Sequence, residues 1–221
     1  MYNVTVICTR HQPIGYVSAF GLCKILNMIG PEVIFEEKPP SYYDAYYIDK
    51  SSTNLESEAI LLFKKDHQVE QVLVEPEGVP PKWFFDEIVN LNKRIEAIPG
   101  EIGERFKEVL DAMKDYAVCG GFKYLNSDNA EYVYDLQEKL IDAGLKELKE
   151  PTYSELFQLW KDIHKRRENE MLKNIYEYSR THQYTNAVFL VGAAHRKAIR
   201  EKVLCLAETE TPALNWTFYS E

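Results

Sequence analysis

Residues 2–37 read YNVTVICTRHQPIGYVSAFGLCKILNMIGPEVIFEE, and the fold turns on them. Tyr2 to Cys8 alternates and is rich in Val and Ile, the pattern of a strand. Ser18 to Ile29 places Leu22, Ile25, Leu26 and Ile29 at helical spacing. Gly30-Pro31 stops that helix, the glycine by its tolerance of a left-handed cap and the proline by its missing N–H. Val33-Ile34-Phe35 is a short apolar strand running into Glu36-Glu37, and Pro39-Pro40 ends it. Further on, Leu55 to Lys65 carries Leu55, Ala59, Leu62 and Phe63 on one helical face, and Val69 to Val74 is a strand closed by Glu75-Pro76. Strands alternating with helices predict an α/β fold, mainly a parallel sheet with crossover helices.

The middle of the chain breaks the alternation. Residues 80–150 hold only helical patterns: Phe84, Ile88, Leu91 and Ile95 form one stripe, and Phe106, Val109, Leu110 and Met113 another. Asp128 to Glu131 resembles an N-cap with an acidic residue three positions on. It opens a helix with Val133, Leu136 and Leu140, closed by Gly144. The segment reads as a helical insertion within one α/β domain spanning residues 1–221, placed to form a lid or a pocket wall. Thr152-Tyr153-Ser154-Glu155, after Pro151, has the form of a capping box, and a long helix follows towards Thr181. Ala187 to Val191 is a strand, Gly192-Ala193-Ala194-His195 leads into a helix through Ile199 and Val203, and Leu214 to Tyr219 is a last strand.

Composition narrows the class. The 221 residues carry 26 Lys and Arg against 35 Asp and Glu, a formal charge of −9. That balance argues against a nucleic-acid partner, which draws on clustered cations. No apolar run approaches the roughly 18 residues of a membrane helix, and the N-terminus lacks the pattern of a signal peptide. The expectation is a cytoplasmic protein without a membrane partner. Cys8, Cys23, Cys119 and Cys205 form no paired motif, so reduced thiols are expected rather than a disulfide frame or a cysteine zinc site. A homo-oligomer is compatible with the sequence.

Ligands of open parallel sheets bind beyond the carboxyl ends of the strands. His11 follows the first strand, Glu36 and Glu37 the second, Glu75 the third, and His195 the Ala187–Val191 strand. Glu36 and Glu37 must face opposite sides, given the two-residue period. The long helix adds Arg167, which stands in the apolar stripe Leu156, Trp160, Ile163, Arg167, Met171, Ile175, Tyr178. A guanidinium there either pairs with a carboxylate or bound anion, Glu36 and Glu37 being natural partners, or snorkels at the edge of the core. His67, His164 and His182 lie among polar residues and read as surface positions. The tract Ser41 to Tyr47, with Tyr43 at its centre, reads as a pocket wall or, preferably, as an aromatic loop packed on the helical insertion.

Together these motifs resemble the TraB/Tiki superfamily, which takes in ChaN-like and erythromycin-esterase-like proteins. The resemblance rests on Gly192-Ala193-Ala194-His195, on Cys8-Thr9-Arg10-His11 with Cys8 in the glycine position, on the acidic Glu37 (or Glu36), and on Arg167-Glu168-Asn169-Glu170-Met171 with Glu168 where aspartate is usual. It covers roughly residues 2–75 and 160–205. It implies a hydrolase of ester or amide bonds acting on a small molecule or peptide. In a metal-assisted version, His11, Glu37 and His195 ligate Mn, Co or Zn, and Arg167 stabilises an anionic transition state. In a metal-free version, His11 is the base for water, Glu37 orients it, and His195 and Arg167 polarise the carbonyl. The alternative it leaves is a non-catalytic protein that binds haem or a peptide in the same pocket.

Overall fold

The computed structural model describes residues 2–78 and 80–220, with Glu208 described in its backbone alone. Five strands form one parallel sheet: β1 (Tyr2–Thr9), β2 (Val33–Glu36), β3 (Glu70–Leu73), β4 (Asn186–Gly192) and β5 (Leu214–Phe218). Their order is β3-β2-β4-β1-β5. The α/β expectation therefore holds, with α1 (Ala19–Ile29) and α2 (Leu55–Phe63) as crossovers. Gly30 caps α1 at φ 61°, its N–H bonded to the Leu26 carbonyl, as its position in the sequence requires.

Strand order creates the site. β4 lies between β1 and β2, with Thr9 opposite Gly192 and Glu36 opposite Leu190. The chain leaves β1 on one side and returns to flank it on the other with β5, so the ends of β1, β2 and β4 meet at a topological switch point.

Residues beyond the third strand fold as α3 (Lys82–Glu96), α4 (Glu101–Leu125) and α5 (Asp128–Leu148), followed by α6 (Pro151–Thr181) and, after β4, α7 (Arg196–Thr209). Leu91, Ile95, Phe106, Val133, Ile141 and Leu145 close a second core, separate from that of the sheet and sealed by Phe157 of α6. Asn126, at the α4–α5 junction, joins this bundle to the sheet. Its side chain accepts from the Cys8 N–H at 2.7 Å and donates to the Cys8 carbonyl at 3.0 Å.

Three helix boundaries differ from those the sequence suggests. α5 is capped by Ser127, whose hydroxyl accepts from the Ala130 N–H, which puts Asp128 inside the first turn. α5 also runs past Gly144 to Leu148 and ends at Lys149 with φ 55°. Gly144 sits inside because a Cβ there would come within 2.9 Å of Ile95 Cγ2. The Thr152–Glu155 box does not form, because Pro151 takes the first helical position and Thr152 is already within the helix.

Candidate active site

Glu37 is the first residue past β2, and its carboxylate is the hub of the site. Its Oε1 accepts from Arg167 Nη2 at 2.6 Å, and its Oε2 from the Gly192 N–H at 2.6 Å. His195 Nε2 stands 3.3 Å from Oε1. Gly192 permits this approach: a Cβ would lie 3.3 Å from Glu37 Oε2 and 3.7 Å from His195 Cδ2. Burial alone would raise the Glu37 carboxyl, but the His195 and Arg167 charges outweigh it and hold the group well below the usual carboxylate range.

His195 ends a short 3₁₀ turn, Ala193–His195, and is buried. Its other nitrogen, Nδ1, lies 2.7 Å from Glu168 Oε1, and Glu168 Oε2 accepts from Lys202 Nζ at 2.7 Å. Burial disfavours the imidazolium, yet the Glu37 and Glu168 carboxylates raise its pKa to about 9. A continuous chain of charges thus runs Lys202–Glu168–His195–Glu37–Arg167. Arg167 extends it to Glu75, whose Oε1 lies 2.5 Å from Arg167 Nε in an ion contact that lacks hydrogen-bond alignment. Burial pushes the Glu75 carboxyl up, Arg167 opposes this, and Glu37 adds to it. One guanidinium thus serves two carboxyls held in opposite directions.

His11 is built differently. It lies two residues past β1 with 58 % of its side chain exposed, and its Nδ1 is 3.5 Å from Glu56 Oε1. Glu56, in the first turn of α2, is buried, and the Thr9 hydroxyl donates to it at 2.6 Å. The Glu56 hydrogen bond raises the His11 pKa, against the effect of burial. His11, Glu37, Glu75, Arg167 and His195 all line one cleft of about 510 Å³.

Three expectations need correction. His164 is not a surface residue: it is half-buried in the cleft wall, its ring 4.1 Å from Trp160 and 4.8 Å from His195. It sits one turn before Glu168 on the inward face of α6. Burial, then the His195 and Arg167 charges, lower its pKa to about 3 and keep it neutral. Glu36 faces away from the site, as the two-residue period demands of Glu37's neighbour, and binds Tyr47 Oη at 2.7 Å, Gln71 Nε2 at 2.9 Å and the buried Lys38. The tyrosine tract folds into short turns, Pro40–Tyr42 and Asp44–Ile48, and packs on the sheet core rather than on the insertion. Tyr42 and Tyr46 line the cleft, whereas Tyr43 packs its ring 5.2 Å from that of Tyr47.

Most of the groups that could ligate a metal already have protein partners. Both nitrogens of His195 face carboxylates, and both oxygens of Glu37 are engaged by Arg167 and Gly192. His11 makes its ion contact with Glu56. Among the described residues, the group whose ligand atoms lie within 4.8 Å of one another is His164, Glu168 and His195. Only His164 offers a free nitrogen there, a buried Nε2 with no partner, while Glu168 is held by His195 and Lys202. These donors are therefore each engaged by a protein group, His164 Nε2 excepted.

Comparisons with protein-family models, with curated proteins and with solved structures find no match for the chain.

Proposed function

We propose that the cleft hydrolyses an ester or amide bond of a small molecule or peptide without a resident metal ion. The observation that carries this reading is the pairing of His11, open to solvent, with Glu56 buried behind it, in the cleft that Arg167 and His195 of the charge network also line. Glu56 holds the Nδ1 side of the ring and leaves Nε2 to take a proton from water. The water oxygen bonds to the carbonyl carbon, the carbonyl electrons move to oxygen, and the charges of Arg167 and His195 stabilise that oxyanion. Collapse of the intermediate breaks the bond to the leaving group, which takes the proton back from His11. Glu37 acts as a positioning residue, holding Arg167 and His195 in place from between them.

The test is turnover of p-nitrophenyl esters and peptide amides by protein purified and assayed with chelator. Activity that survives chelation and disappears in His11→Ala supports the reading. Activity restored only by Mn, Co or Zn sinks the metal-free form. Thermal stabilisation by a peptide or haem, with no turnover, moves the assignment to ligand binding.

A further inference from the structure

A second cavity, of about 650 Å³, adjoins the cleft. Tyr134, Trp160, His164, Ala193 and Ala194 line both spaces, so the two meet at these side chains. Its far side is apolar, built from Ile88, Met113, Ile141 and Phe157 of the helical segment and α6. Most of its charged residues have an ion partner. Lys161 pairs with Asp142 and Glu138, Lys197 with Asp135, and Lys202 with Glu168. Glu131 is held by Arg196 and Arg200. Lys165 and Glu201 are exposed and of opposite sign. The charged groups are thus largely paired, while the apolar side chains have surface to bury.

We propose that this cavity is the subsite for an uncharged, flexible acyl chain of the substrate, whose carbonyl lies in the cleft beside His11. The proposal deepens the hydrolase reading and rests on it for the carbonyl's position. Its own basis is the set of side chains shared with the cleft, the apolar side built from Ile88, Met113, Ile141 and Phe157, and the pairing of most of its charged groups. The chain passes the Trp160–His164 pair, whose rings are 4.1 Å apart, and His164 presents a neutral ring to it. Met113 adds an unbranched side chain that adapts to chains of different length.

Ala198 lines the second cavity and not the cleft, so enlarging it fills the subsite and spares the reacting groups. Binding of 2-octanone, an uncharged ketone that cannot be hydrolysed, is measured by calorimetry for wild type, Ala198→Leu, Ala198→Trp and His11→Ala. Wild type and His11→Ala bind it, and the Ala198 variants bind at least about tenfold more weakly. Ala198→Leu is the smaller step and keeps the test readable if the tryptophan variant does not fold. In wild type, kcat/KM for p-nitrophenyl acyl esters rises about fourfold per added methylene until the cavity is full. Equal ketone binding by wild type and Ala198→Leu, or no binding by either, overturns the subsite. Ketone binding that depends on Ala198, without turnover of any ester, removes the hydrolase reading and leaves the subsite standing. Turnover of acetate with no gain from longer chains does the reverse.

Discussion

Raising the pH should remove a defined part of the protein's stability through His195. This imidazole is buried between Glu37 and Glu168, and its pKa in the folded chain is about 9 against 6.5 for the free group. Because the folded value is the higher, folding favours the protonated ring. The linked stability is fully present below about pH 6.5 and is lost as pH rises through about 9. That interval corresponds to about 3 kcal/mol. Urea unfolding of wild type and His195→Gln, near pH 6 and near pH 10, isolates it, because most other groups titrate alike in both proteins. The wild-type advantage should shrink by about 3 kcal/mol between the two pH values, and the His195 ring should titrate by NMR at about 9. Parallel pH profiles for the two proteins, or a ring that titrates near its ordinary value, would refute the account of the charge chain.

Further outcomes follow from the same geometry. Arg167→Met leaves Glu37 and Glu75 without their shared cation, and urea unfolding at neutral pH should show a loss of about 3–5 kcal/mol, the cost of breaking a buried pair from one side. The loss should diminish as the solution is acidified and the carboxyls take up protons. Gly192→Ala presses a Cβ against the Glu37 carboxylate and should lower stability by roughly 1–3 kcal/mol in the same assay. Glu56→Gln removes the group that raises the His11 pKa, so the rise of kcat/KM with pH should move to lower pH as the plateau rate falls. An unchanged pH profile would disconnect His11 from the reaction.

How far the site could be read in the sequence depended on which interactions leave a periodic trace. The strand ends bring His11, Glu37, Glu75 and His195 to one cleft, because side chains just past parallel strands gather at one edge. Arg167 stood out as a cation in an apolar stripe, and its partners are carboxylates, Glu37 as expected and Glu75 in place of Glu36. The same test applied to α2 would have found Glu56, which precedes Ile60 and Phe63 by one and two turns on the buried face. It would also have found His164, four residues after Trp160 and four before Glu168. The helix starts shifted because several capping residues compete locally, and a proline or serine one position upstream wins by geometry that composition does not display. The second cavity left no trace, since its lining comes from α3, α4, α5, α6 and α7, brought together only by packing.

The strand order also dictates when the sheet can exist. β1 is bonded to β4 and β5 and not to β2, so its partners begin at Asn186 and Leu214. During synthesis β1 therefore waits for these partners until the chain has been made through β4 and β5. The helical segment has a core of its own and short-range contacts, and is free to fold in the meantime. The pairing of β1 and β2 through β4 is then a late event, whereas β2 and β3 pair with each other directly. Glu37, Gly192 and His195 come together only at that moment, so the chain acquires its charge network in the same step that completes its hydrogen-bonded framework.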